Sequence, residues 1–171
     1  MSLYTVDTAN KILEPLGITP LKEQNLRERD DLQEWLVSHP EALGEELLII
    51  QKEFDGFDGT GERLDLLALD TKGQLVLIEN KRDDSGRDAV WQALKYASYV
   101  APFTAKNIIN VYANYLSKYR PIDPDPDLDA DAYEPEHVHH TARVLIEKFL
   151  GENADIDWMS QLNPKATQRI I

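Results

Sequence analysis

Two short runs, ERLDLLALD and QLVLIENKR, separated by TKG, carry the residues best placed to do chemistry: Asp65, Glu79 and Lys81. Alternation along a strand puts Leu75, Leu77, Glu79 and Lys81 on one face, so a carboxylate and an ammonium point the same way, two positions apart. If Thr71, Lys72 and Gly73 form a three-residue hairpin loop, Asp70 pairs with Gln74, and a constant sum of residue numbers then sets Asp65 opposite Glu79. Opposed residues on one face have Cβ atoms about 4.5 to 5.5 Å apart, near enough for two carboxylates to share a hard divalent cation. A two-residue loop would send Asp65 to the other face, so the reading turns on Gly73 taking a left-handed conformation. Two such carboxylates repel, and Lys81 alone does not neutralise both. Magnesium resolves the conflict: it takes one or two carboxylates plus water and substrate phosphate, lowers the pKa of a bound water and polarises a phosphoryl oxygen. Lys81 would orient the nucleophile or stabilise charge building on the phosphate.

Neighbouring segments supply supporting groups. From Leu26 to His39, Leu32, Trp35, Leu36 and His39 recur at helical steps, with Asn25 as N-cap, and Glu28 falls near the centre of that face while Glu34 points away. A carboxylate aimed inward needs a partner, which makes Glu28 the auxiliary ligand; the bland alternative is a surface ion pair with Arg29 or Arg63. Gln92 and Tyr96 lie four apart on a later helix and share a face, to support the site, touch substrate or simply pack on the sheet. Arg63, two before Asp65, projects on the same face and is placed to meet a phosphate. His137, His139 and His140 lack a standard zinc spacing. Trp35 and Trp91 are assigned to the core.

These groups need a scaffold. Residues 1–24 read as an N-terminal extension and 25–120 as the core: a helix, a turn through SHPEALG, a strand through EELLIIQKEF, the glycine-rich loop GFDGTG, the hairpin and an apolar helix over 89–97 capped by Asp84 or Ser85. TAKNIINVYANYLSKY follows, read as a helix with Ile108, Ile109, Tyr112, Tyr115 and Leu116 inward, a strand through NIINVYA being the alternative. Residues 121–136 hold seven Asp or Glu and no Lys or Arg, too little apolar surface to order, and read as an acidic loop or linker. Residues 137–171 read as a helix stopped at Gly151 and the start of a strand, which suggests a longer protein with a further C-terminal domain.

ERDDLQEWL, RLDLLALD, IENKR and QALKY together resemble the PD-(D/E)XK nuclease superfamily, the last being similar to the Q-x-x-x-Y element of its RecB-like members. The resemblance covers about residues 26–100 and is greatest to bacterial proteins with such a domain at the N-terminus. It implies an α/β, restriction-endonuclease-like core with a central mixed sheet flanked by helices, and magnesium or manganese dependence. It also implies hydrolysis of DNA or, less often, RNA. Asp65 and Glu79 carry over as metal ligands, Lys81 as the catalytic lysine and Glu28 as the helix acid. Leu64 stands where the family has proline before the aspartate.

A net charge of -13 opposes this reading, because polyanion binding rests on Lys and Arg. About half of that charge sits in residues 121–136, and tight binding is left to a second domain, a homodimer or a partner. With no cysteine, disulfides, thiolate zinc sites and cysteine nucleophiles are excluded. No apolar run is long enough for a membrane span and no secretory signal is visible, so the default location is cytoplasmic. The expectation is a metal-dependent nuclease; the competing expectation is an inactive nuclease-fold module that recruits proteins or nucleic acid.

Overall fold

The computed structural model describes residues 3–17, 19, 21–56, 63–80, 87–119, 124–151, 157–164 and 167–171. Among these residues it is a mixed α/β structure with a four-stranded mixed sheet, a separate two-stranded sheet and four α-helices. The element order is β1 (Tyr4–Asp7), β2 (Ile12–Pro15), α1 (Gln33–Ser38), β3 (Leu47–Phe54), β4 (Leu64–Asp70), β5 (Leu75–Ile78), α2 (Arg87–Val100), α3 (Ala105–Lys118), α4 (Val138–Leu150) and β6 (Arg169–Ile170). In the larger sheet the order is β3-β4-β5-β6, antiparallel except for the parallel β5-β6 pair.

Both faces of this sheet are apolar, which is why β4 and β5 read as continuous Leu, Val and Ile runs rather than as an alternation. Leu67, Leu69, Leu75 and Leu77 pack with Tyr96 and Val100 of α2, Ile108 and Tyr112 of α3, and Ile146 of α4. Leu66, Ala68, Val76 and Ile78 pack on the opposite side with Leu36 of α1. Asp65 and Glu79 share the parity of Leu67 and Leu77, so they stand at the end of the α2 face.

The β4-β5 turn has the geometry expected from the sequence. Asp70 N–H donates to Gln74 O at 3.0 Å, Gly73 N–H donates to Asp70 O at 2.9 Å, and Gly73 has φ +77°. Asp70 Oδ1 accepts from the backbone N–H of Lys72 and of Gln74, each at 2.9 Å, which stitches the loop from within.

Elsewhere the structure departs from the sequence reading. The first helix begins with a π-helical turn over Glu28–Leu32 that Arg27, not Asn25, precedes; Asn25 has φ +55°, while Asp31 Oδ2 accepts from Arg27 N–H at 2.7 Å. Trp35 and Trp91 are 47% and 74% exposed, because each falls beside rather than on the stripe of its helix that meets the sheet. NIINVYA, by contrast, is helical as the sequence reads, not the alternative strand: Thr104 and Asn107 form a reciprocal capping box, and the capped α3 buries Ile108, Tyr112, Tyr115 and Leu116. The expected caps Asp84 and Ser85 lie outside the described residues.

The acidic stretch also orders where it is described. Tyr133 is buried, Thr141 Oγ1 donates to Ala132 O at 2.6 Å, and Lys148 Nζ reaches Asp125 and Asp127 at 2.8 Å each. One aromatic anchor and one lysine shared by two aspartates supply what the composition of the segment lacks. Past α4, Trp158 and Leu162 join the same core, and β6 extends the sheet, so the segments on either side of the acidic stretch share one interior.

Candidate active site

The hairpin register sets the site. Observed pairs Leu66↔Ile78, Leu67↔Leu77, Ala68↔Val76 and Leu69↔Leu75 continue to Asp65 opposite Glu79. Both carboxylate residues are half-buried. Asp65 Oδ2 accepts from the backbone N–H of Asn80 at 2.8 Å, which fixes the carboxylate against the end of β5. Glu79 is held from the other side: its N–H donates to Ile171 O at 3.1 Å, while Ile171 N–H donates to Leu77 O at 2.9 Å. Backbone bonds on two flanks thus position the pair, independently of any side-chain partner.

Behind it stands α2. Tyr96 is buried, and its hydroxyl donates to the carbonyl of Arg63 at 3.1 Å, tying the helix to the chain two residues ahead of Asp65. Gln92, one turn earlier, is half-buried. Arg63 is exposed, with Nη1 3.7 Å from Glu53 Oε2.

Glu53 was not singled out from the sequence. A bulge between Ile49 and Gln51 shifts the β3-β4 register, after which Lys52↔Leu66 and Phe54↔Leu64 leave Glu53 abreast of Asp65. Three acidic residues, Glu53, Asp65 and Glu79, therefore line up across adjacent strands. Glu53 has φ +51°, and Arg29 Nε donates to its Oε1 at 2.8 Å. The only signal available was its place in an apolar strand, and the bulge is not written in residue types.

Glu28 is half-buried in the π-helical turn that leads into α1. Among the described residues no three Asp, Glu or His side chains converge closely enough to hold a metal ion, so Glu28 does not complete a cluster with Asp65 and Glu79. His137, His139 and His140 form none either. Lys81 lies outside the described residues. The donor set still suits magnesium, which is commonly held by two carboxylates with water and phosphate completing the shell.

No protein-family model, curated protein or solved structure matches the chain. Among the described residues no helix is long and apolar enough to cross a membrane.

Proposed function

We propose that the chain is a metal-dependent nuclease of the restriction-endonuclease-like type, hydrolysing phosphodiester bonds of DNA rather than RNA. The observation that carries the reading is the hairpin register, which sets Asp65 beside Glu79 two residues ahead of Lys81. Asp65 and Glu79 would hold magnesium or manganese, and the ion would supply an acidified water and neutralise charge on the scissile phosphate.

The protein's own contribution is positional. Asn80 N–H orients the Asp65 carboxylate, and the β5-β6 pairing fixes the backbone of Glu79. Lys81 donates to the attacking water or the phosphate. Tyr96 sets the entry of β4, and Gln92 beside it supports the site or meets the substrate. Arg63, exposed at the rim, offers a guanidinium to a flanking phosphate, and Glu28 would assist as an auxiliary acid outside the Asp65–Glu79 pair. With an acidic surface overall, affinity for DNA is modest and rests on few contacts.

The test is cleavage of single- and double-stranded DNA and of RNA with magnesium or manganese, comparing wild type with Lys81→Ala. Metal-dependent cutting that Lys81→Ala lowers by roughly 100-fold or more supports the proposal. Equal activity in both proteins, or none in either on any substrate, rejects it.

A further inference from the structure

Glu53 stands in a backbone conformation that its side chain disfavours. Its φ of +51° lies in a region that glycine and asparagine enter readily and glutamate rarely, and strain of this kind gathers where a side chain must be aimed. The bulge between Ile49 and Gln51 acts to the same end. Counted on from Ile49↔Ala68 without it, Lys52 would stand opposite Asp65, where its ammonium could neutralise that carboxylate. With the bulge, Lys52 pairs with Leu66 instead; its Nζ bonds Glu34 at 2.7 Å and lies 4.3 Å from the centre of the Tyr119 ring. A carboxylate thus takes the place beside Asp65 that the plain register gives to a lysine.

What that carboxylate gathers is a pair of arginines. Arg29 Nε donates to Glu53 Oε1 at 2.8 Å, and Arg63 Nη1 lies 3.7 Å from Glu53 Oε2. Arg29 belongs to the π-helical turn over Glu28–Leu32 and Arg63 immediately precedes β4, so two distant segments meet at Glu53. Burial is lopsided: the Glu53 side chain is 18% exposed, those of Arg29 and Arg63 64% and 54%. Exposed ion pairs contribute little to stability, so the arrangement does little for the fold. Its effect is to bring two guanidiniums to one spot on a chain of net charge -13, with one carboxylate between them. That carboxylate takes one N–H of Arg29 and, at 3.7 Å, no hydrogen bond from Arg63, which leaves donors on both for a further anion.

We infer that Arg29 and Arg63, gathered by Glu53, clamp one phosphate of the DNA backbone beside the Asp65–Glu79 pair, an inference that rests on the nuclease reading and gives it a substrate contact. The place is set by register, since Glu53 lies abreast of Asp65. Two guanidiniums give a phosphate charge-assisted hydrogen bonds from two sides. Glu53 holds the like charges together before DNA arrives, so little ordering is left to binding. A backbone contact of this kind positions the strand without reading its sequence. It also reconciles an acidic chain with a polyanionic substrate, because attraction is concentrated at one point instead of spread over a basic face.

The test is fluorescence anisotropy of a labelled DNA duplex in EDTA, where nothing is cut, with potassium chloride varied to give the slope of log affinity against log salt. Arg29→Gln with Arg63→Gln should reduce that slope by about 0.9, the share of one phosphate, and to the same extent on unrelated sequences. The losses of log affinity in the two single variants should not add, because both side chains serve one phosphate. Lys148→Gln, which removes an exposed cation already committed to Asp125 and Asp127, should leave the slope unchanged. A wild type that does not bind at low salt, an unchanged slope in the double variant, or an equal fall in Lys148→Gln overturns the inference. So do additive losses with about twice the fall in slope, which would mean two separate phosphates. Metal-dependent cutting that persists with an unchanged slope sinks the clamp alone, whereas the stated fall in slope without any cutting upholds the clamp and sinks the nuclease reading.

Discussion

The backbone N–H of Asn80 donates to Asp65 Oδ2 at 2.8 Å, so the carboxylate of one strand is held by the main chain of the next. A side-chain donor could drift; a backbone donor one residue past the Glu79–Ile171 bond has far less freedom. Asp65 is therefore set in place before any ion or substrate arrives, and exchanging it tests chemistry more cleanly than architecture.

Asp65→Asn keeps one oxygen to accept from Asn80 and removes the negative charge. Isothermal titration with manganese should show binding to the wild type and at least about tenfold weaker binding to the variant, with unfolding in urea little changed. Identical binding in the two proteins would remove Asp65 from the proposed metal site.

Tyr96→Phe deletes the hydroxyl that reaches Arg63 O while leaving the ring in the core. The expected loss is about 0.5 to 1.5 kcal/mol of stability, read from the urea midpoint, because one neutral hydrogen bond is removed. Cleavage should fall as well, since the start of β4 would loosen ahead of Asp65.

Gly73→Ala should cost about 1 to 3 kcal/mol. The position has φ +77°, and a Cβ there would stand 3.1 Å from Gln161 O and 3.3 Å from the Leu162 side chain. A thermal melt shifted by less than a degree would show that the loop rearranges without penalty.

The hairpin around Gly73 is the part of the site most legible in the sequence, because a tight loop and a period of two are local rules. Glu53 was hidden by the bulge between Ile49 and Gln51, where the count slips by one without a glycine or proline to announce it. Trp35 and Trp91 misled because large aromatic residues favour interiors on average, while the helix faces here bury their neighbours Leu36 and Tyr96 instead. The return of β6 to the sheet depends on Trp158, Leu162 and Asn163, whose partners lie far along the chain and leave no periodic trace.

Asn163 makes that return measurable. Its Nδ2 donates to Val100 O at 3.1 Å and Phe103 O at 2.9 Å, its Oδ1 accepts from Gln168 at 2.6 Å, and its backbone N–H donates to Gly73 O at 2.8 Å. Asn163→Ala strips the side-chain bonds at a buried position and should cost about 2 to 4 kcal/mol, measured by urea unfolding.

Acid should weaken the β6 edge. Arg169 bonds Glu45, Nη2 to Oε1 at 2.7 Å, and that hydrogen bond holds the Glu45 carboxyl below its ordinary 4.5. A depressed folded pKa means the stabilisation is present above 4.5 and is lost as pH falls through the lower folded value. Glu45→Gln should flatten that limb when unfolding midpoints are compared between about pH 6 and pH 3; an unchanged slope would show that the pair contributes nothing.

The bond from Glu79 N–H to Ile171 O has a consequence in time. β5 and β6 are parallel and separated by all three long helices, so their pairing closes a very long loop and is a late event in folding. During synthesis, β4 and β5 can meet as soon as their turn has emerged, whereas the outer flank of Glu79 waits for residues at the far end of the sequence. Pulsed hydrogen exchange should accordingly find the amide of Ala68, which faces β5, protected early and that of Glu79 among the last, a delay that keeps the carboxylate pair unfinished while the rest of the core is already closing.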